Sequence, residues 1–272
     1  MNLVKIHIET YLPSLIELIG NSYIDWDNIY GLFSKEIEKN KEKAGLGTVD
    51  VEVNIYYICI EVKKGNINAA RYLNFLNQLF KDLATVLHDK EKQMIVPIIR
   101  NFLISFDHKY LNYLGELAVL NNLIKSEKYR LENVESPMPN KKNLDFKLRK
   151  IEDGSFVLAE VYNIHLDPEK VENNNDTLNQ FLTHRLSNKF EDKKKGLEQD
   201  IEFFIVPVIW GGADVLKKYS EFFKNNKLQL SKVTEPVAYL TFYGEDGYYM
   251  HRVSIISNLF KSESSSENSF HT

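Results

Sequence analysis

Leu144 to Ile164, LDFKLRKIEDGSFVLAEVYNI, is predicted to form two short strands joined by a tight turn. Apolar and polar residues alternate in the first run, Leu144 to Arg149, as they do on a strand with one buried face. A polar turn, Glu152 to Ser155, separates it from a second run, Phe156 to Ile164. Gly154 supplies the positive φ that a tight hairpin turn requires. The pattern therefore predicts a β-hairpin.

Each arm of this hairpin carries one carboxylate, Asp145 on the first and Glu160 on the second. Folding the chain back at Gly154 pairs residues whose numbers sum to about 307, which brings the two acids close to each other. A glutamate among apolar strand residues is costly to bury unless it is paired or coordinated. A divalent cation such as Mg²⁺ prefers oxygen ligands of this kind. The pair indicates a metal site, or a simpler arrangement in which Glu160 reaches solvent or pairs with Lys147.

The chain before the hairpin is predicted to be mostly helical. Apolar residues recur every three or four positions in the segments Tyr11–Ile19, Trp26–Asn40 and Ala69–Leu87. The segment Val49–Lys63 fits both a helix and a strand, and the absence of a turn signal within it favours a helix. A further helix, Asn112–Lys125, precedes a weak strand and the hairpin.

Beyond the hairpin, the pattern predicts a long helix from about residue 177 to 202 and a buried strand from 203 to 210. A second hairpin is predicted over residues 237 to 256, with its turn at Gly244 to Gly247. We therefore expect an α+β protein with a helical N-terminal domain (1–106) and a sheet domain (107–260). The Ser- and Glu-rich tail, 261–272, is predicted to be disordered.

One spacing, Asp145-x14-Glu160-Val161-Tyr162, resembles the PD-(D/E)xK nuclease superfamily. Glu116 precedes it on a predicted helix, and a Lys-rich helix and an apolar strand follow it. The resemblance covers roughly residues 107 to 210. It implies a restriction-endonuclease-like mixed sheet flanked by helices, with Asp145 and Glu160 as ligands of Mg²⁺ or Mn²⁺ and Glu116 as an accessory acid. It further implies hydrolysis of phosphodiester bonds, in DNA rather than RNA.

The family pattern places a lysine two positions after the glutamate, where this chain has Tyr162. A lysine there orients the attacking water and stabilises developing negative charge, whereas tyrosine is neutral at pH 7. Two lysines are candidates to replace it: Lys147, on the strand face of the first acid, and Lys189. The latter belongs to a row with Arg185 and Lys193, whose simpler interpretation is a solvated basic face.

The missing lysine leaves a second function open. The domain would then be catalytically degenerate and would bind nucleic acid, or a protein partner through the N-terminal helical region, without cutting.

A second match, Asp50-x10-Glu61-Val62-Lys63, fits the letters of the motif more closely. The residues between its two acids contain no turn signal, so both would lie on one continuous element. On a helix, eleven residues span roughly 16 Å, which is too far for two carboxylates to share an ion. We therefore assign the site to the hairpin.

Bulk composition limits the remaining classes of protein. Cys59 is the only cysteine, which excludes an internal disulfide and a thiolate zinc cluster. No apolar run approaches the roughly 18 to 20 residues of a membrane-spanning helix, and no signal peptide is apparent. We expect a cytoplasmic protein that does not associate with membranes. The net charge of −4 and pI of about 6.0 neither support nor exclude a nucleic-acid partner.

Overall fold

The computed structural model describes residues 2–45, 54–137, 143–165, 175–195, 197, 201–212, 216–217 and 233–256. Helices come first along the chain and a six-stranded mixed sheet follows, which confirms the predicted α+β class. The tail at 261–272 and Asp50 lie outside the described residues. The chain divides into two compact units, Met1–Leu117 with Glu245–Tyr249, and Ala118–Gly244 with Met250–Thr272. The domain boundary predicted near residue 106 stays a prediction.

The N-terminal region is built from helices. They are α1 (Leu3–Tyr11), α2 (Pro13–Ile19), α3 (Trp26–Gly45), α4 (Ile55–Lys63), α5 (Ile67–Val86), α6 (Asp89–Met94), α7 (Val96–Ile104) and α8 (Tyr110–Lys125). Asparagine side chains cap three of them: Asn2, Asn54 and Asn66 each accept a bond from the backbone N–H three residues later.

Helix α4 confirms the helical interpretation of the second half of the ambiguous segment. Glu61 lies on this helix, and its Oε1 pairs with Lys64 Nζ at 2.8 Å. Asp50, the other acid of the alternative motif, is not among the described residues. The structure therefore gives no reason to move the candidate site from the hairpin.

The sheet contains β1 (Tyr129–Pro137), β2 (Asn143–Lys150), β3 (Phe156–His165), β4 (Glu202–Gly212), β5 (Val237–Tyr243) and β6 (Tyr249–Ile255), in that order across the sheet. Strands β1, β2 and β3 form an antiparallel meander, whereas β4 is parallel to both β3 and β5. A parallel neighbour requires a crossover connection. Helix α9 (Asn175–Lys194) lies in the crossover from β3 to β4.

Two predicted C-terminal ends, those of the long helix and of the strand that follows it, are displaced in the structure. The helix predicted to reach residue 202 ends at Lys194, and the later apolar residues Leu197 and Ile201 pack on the sheet core instead. The strand predicted to end at residue 210 extends by two glycines, Gly211 and Gly212, which pair in register with Leu240 and Thr241 of β5. Ladder pairing with a neighbouring strand overrides the local weakness of glycine.

One face of the sheet packs against α9. Leu186 is buried in the core cluster with Leu158, Phe203 and Ile205, and Phe190 stacks on Phe203 with ring centroids 5.4 Å apart. Residues three and four apart share a helix face. The apolar anchors of α9 therefore direct Lys189 and Lys193 to the same side of the sheet.

Candidate active site

The register of the β2–β3 hairpin sets the relative position of the two acids. The ladder pairs Phe146 with Ala159 and Arg149 with Phe156, and the backbone N–H of Lys150 donates to Ser155 O at 2.8 Å. Extending this register by one residue sets Asp145 opposite Glu160. The predicted register would have set Asp145 opposite Tyr162, and it is wrong by two residues because the turn closes earlier than expected. Directly opposed residues share a face and have Cβ atoms roughly 5 Å apart.

Glu160 is buried, with 3% of its surface exposed, and two ammonium groups neutralise it. Lys189 Nζ lies 2.7 Å and Lys193 Nζ 2.9 Å from the same carboxylate oxygen, Oε1. The other oxygen, Oε2, is buried and has no hydrogen-bond partner among the residues that the structure describes. A buried carboxylate oxygen without a donor is costly, so this atom is a candidate ligand for a cation.

Asp145 is oriented by the backbone of the neighbouring strand, where the Val161 N–H donates to its Oδ2 at 2.6 Å. Burial and the negative charge of Glu160 raise the pKa of Asp145 to about 7, against the opposing effects of this N–H and of the two lysines. The two carboxylates therefore interact electrostatically. A bound cation would favour the ionised form of Asp145.

The two lysines of α9 differ in their surroundings. The Lys193 side chain is 10% exposed and its Nζ also donates to Asn143 O, at 2.6 Å, at the start of β2. The Lys189 side chain is 29% exposed, and its Nζ lies 5.5 Å from the centroid of the Tyr162 ring. Sequence reasoning named Lys193 only as part of a row. The signal that identifies it is its spacing of one helical turn from Lys189.

Other residues from the sequence prediction lie elsewhere. Lys147 Nζ lies 4.2 Å from the centroid of the Phe156 ring, towards the turn of the hairpin, while both ion pairs recorded for Glu160 come from α9. Arg185 is exposed on α9, one turn before Lys189. Glu116 lies on α8 in the first compact unit, whereas the hairpin acids lie in the second. Its role as an accessory acid stays a prediction.

The donor set suits a hard cation that keeps part of its water. Within the described part of the chain, no three His, Cys, Asp or Glu side chains are grouped closely enough to hold a metal ion. Two carboxylates remain, Asp145 and Glu160, one of which has a buried oxygen without a donor. Mg²⁺ is commonly bound by one or two carboxylates with water in the other positions. The residues present therefore fit Mg²⁺ or Mn²⁺.

Comparisons with known proteins identify no family. No family model and no curated protein matches the chain. A solved structure, described as Pyrococcus furiosus SfsA in complex with Ca²⁺, aligns with 54% of this chain and with 63% of its own, at 15% identity and a TM-score of 0.25. A TM-score this low does not show a common fold. None of the helices in the described ranges is both long and apolar enough to cross a membrane.

Proposed function

We propose that this chain is a metal-dependent nuclease of the PD-(D/E)xK type, which hydrolyses phosphodiester bonds in DNA in preference to RNA. The observation that carries the proposal is the pairing of Asp145 and Glu160 on one sheet face beside two ammonium groups. The order of elements also supports it. A helix (α8), an antiparallel meander (β1 to β3), a second helix (α9) and a parallel strand (β4) follow each other as the resemblance implies.

Asp145 and Glu160 would hold Mg²⁺ or Mn²⁺. When bound, the cation would lower the pKa of a water molecule and offset negative charge on the scissile phosphate. The protein residues supply orientation: the Val161 N–H fixes the Asp145 carboxylate, and Lys193 fixes one oxygen of Glu160. Neither bond uses Glu160 Oε2, the oxygen that has no hydrogen-bond partner among the described residues.

Lys189 would replace the lysine that the family pattern has at the position of Tyr162. Its ammonium group lies beside the Glu160 carboxylate, although it comes from α9 rather than from β3. The Tyr162 ring lies against this ammonium group and contributes a weak cation–π attraction. An ammonium group at this position would stabilise the negative charge that develops on the phosphate in the transition state.

The test is cleavage of plasmid, linear and single-stranded DNA and of RNA with Mg²⁺ or Mn²⁺, and with EDTA. We expect cation-dependent cleavage that falls at least about a hundredfold in Asp145→Asn and in Glu160→Gln. Glu152→Gln, in the exposed turn of the same hairpin, is the matched control and should cleave like the wild type. The proposal fails if the wild-type protein cleaves none of these substrates with either ion.

A second function is favoured by the neutralised state of Glu160 and by the tyrosine at position 162. Because two ammonium groups already balance the pair, the site also suits a catalytically degenerate domain that binds nucleic acid without cutting it. Salt-sensitive DNA binding that survives in the Asp145→Asn, Glu160→Gln double variant, without cleavage by the wild type, would support this alternative. If the protein binds no nucleic acid, the remaining candidate function is binding of a protein partner on the N-terminal helices.

A further inference from the structure

The two lysines at Glu160 share one acceptor atom. Both ammonium groups approach Oε1, at 2.7 and 2.9 Å, while Oε2 receives no hydrogen bond among the described residues. Two cations on one oxygen repel each other, and one of them is sufficient to balance the carboxylate charge. Glu160 alone therefore needs only one of the two ammonium groups, and the other balances Asp145 when that acid is ionised.

Lys193 has little freedom to leave this position. Its side chain is 10% exposed, and its Nζ joins the Asn143 carbonyl on β2 to the Glu160 carboxylate on β3. Moving it would leave a buried ammonium group without acceptors and remove a positive charge from beside a buried carboxylate. Breaking a buried ion pair on one side is strongly unfavourable. Lys193 therefore holds the two acid-bearing strands and one oxygen of Glu160 in place.

Lys189 can leave at much lower cost. Its side chain is three times as exposed as that of Lys193, and its second neighbour is the face of the Tyr162 ring. A partly exposed ammonium group exchanges its contacts for water more easily than a buried one. When a divalent cation takes over the charge of the carboxylate pair, Lys189 is the ammonium group that is released.

We infer that the two lysines have different roles. Lys193 is a positioning residue that stays on Glu160. Lys189 is an exchangeable cation that moves to a substrate phosphate when the metal binds. This inference rests on the proposed function. The contact between Lys193 and Glu160 is permanent. The Lys189 ammonium group exchanges its contact with Glu160 for one with the nucleic acid.

The experiment compares Lys189→Met and Lys193→Met in the full chain, with Lys194→Met, an exposed neighbour on α9, as the control. Thermal unfolding is followed without metal, and Mn²⁺ binding is measured by calorimetry at a temperature at which all the variants are folded. Binding of a labelled DNA oligonucleotide is measured in Ca²⁺ by fluorescence anisotropy.

For Lys193→Met we expect the midpoint of thermal unfolding to fall by about 5 °C or more and Mn²⁺ affinity to fall about tenfold, as when a group that orients a metal ligand is lost. For Lys189→Met we expect a midpoint within about 2 °C of the wild type, Mn²⁺ affinity equal to or above that of the wild type, and DNA affinity several times weaker. Lys194→Met should match the wild type in all three measurements.

The inference is overturned if the two methionine variants lose stability equally, or if Lys189→Met weakens Mn²⁺ binding as much as Lys193→Met does. It is also overturned if Lys189→Met leaves DNA binding unchanged in a protein that binds DNA. If the wild type binds Mn²⁺ but neither binds nor cleaves DNA, the proposed function fails and the role of Lys189 fails with it. The stability and Mn²⁺ measurements on Lys193→Met then still decide whether that lysine orients Glu160.

Discussion

At the scale of single residues, Asp145 shows how the site departs from what is best for stability. Burial and the nearby charge of Glu160 oppose its ionisation, and a backbone N–H and two lysines favour it. The first pair of effects prevails, and the pKa rises from 3.8 to about 7. A carboxylate kept near neutrality at pH 7 is poised to ionise when a cation arrives.

Replacing this acid by its neutral amide is expected to stabilise the metal-free protein. Because the folded protein binds the Asp145 proton more tightly than the unfolded chain does, the free energy of unfolding falls as pH rises from about 4 to 7, and the loss persists above 7. Asp145→Asn removes this loss and keeps an oxygen that can accept the Val161 N–H. We expect the variant to exceed the wild type by about 1 to 3 kcal/mol at pH 8 and to match it near pH 4.

The measurement is urea unfolding in EDTA at pH 4, 5 and 8, followed by the fluorescence of Trp210 in the second compact unit. Wild-type protein that gains stability relative to Asp145→Asn between pH 5 and pH 8 would contradict the prediction. Trp26 lies in the first unit, so a variant with Trp26→Phe isolates the signal.

Replacing Glu160 by its neutral amide is expected to lower the free energy of unfolding, in contrast to the same change at Asp145. Glu160→Gln leaves two ammonium groups beside a neutral side chain, one of them buried, so we expect a loss of about 3 kcal/mol in the free energy of unfolding at pH 7. Glu152→Gln, in the exposed turn, should change it by less than about 0.5 kcal/mol. Chemical denaturation of both variants checks this, and equal stability of the two would show that the lysines do not depend on Glu160.

At the scale of elements, the β2–β3 turn sets which residues face each other. Its hydrogen bonds, Lys150 N–H to Ser155 O and Gly154 N–H to Lys150 O, place the close of the hairpin and thereby the opposition of the two acids. Gly154 has φ of +72°, a conformation that side chains with a Cβ adopt only with strain. A shift of two residues would have paired Asp145 with Tyr162 and left Glu160 without its acidic neighbour.

Gly154→Ala isolates the conformational part of this effect. An added Cβ meets no atom within 4 Å, so only the positive φ is penalised, and we expect a loss of about 1 kcal/mol. Gly31, in the helix α3, is the matched control: its added Cβ also meets nothing within 4 Å, and Gly31→Ala should stabilise the protein by up to about 1 kcal/mol. Thermal unfolding of both variants measures the contrast, and a loss in both would contradict the explanation.

At the scale of the whole molecule, net charge gives no indication of the partner. The chain carries −4 overall, yet α9 carries Arg185 one turn before Lys189, whose ammonium group lies beside Glu160. Association with a polyanion depends on such local cations and on salt more than on the sum of charges. The proposed substrate therefore meets a small basic region on a mildly acidic protein.

DNA binding is expected to be salt-dependent, and one exposed arginine should account for a measurable part of that dependence. Arg185→Gln should weaken binding of an oligonucleotide and reduce the slope of log affinity against log salt by about 1. Lys39→Gln, exposed on α3 in the other compact unit, should leave the slope unchanged. Anisotropy titrations in Ca²⁺ at several salt concentrations test this, and equal slopes for all three proteins would remove Arg185 from the binding surface.

Local patterns in the sequence were sufficient for the α+β class and for most elements. The helical periods, the glycine turn and the two hairpins depend on neighbours within a few residues, and they appear in the structure close to where they were predicted. The same patterns, together with the resemblance to a nuclease motif, led to the choice of Asp145 and Glu160 as the acids of the candidate site. They overextended α9, because the apolar residues at 197 and 201 continue its stripe although they pack on the sheet.

Tertiary structure decided the hairpin register and the identity of the cations at Glu160. Lys147 is near Asp145 along the chain, but its ammonium group lies over Phe156, while Lys189 and Lys193 reach Glu160 from about thirty residues away. That approach depends on how Leu186 and Phe190 seat α9 on the sheet. Packing of this kind joins residues distant in sequence, so no local period encodes it, whereas turns and helical stripes arise from short-range backbone and side-chain preferences.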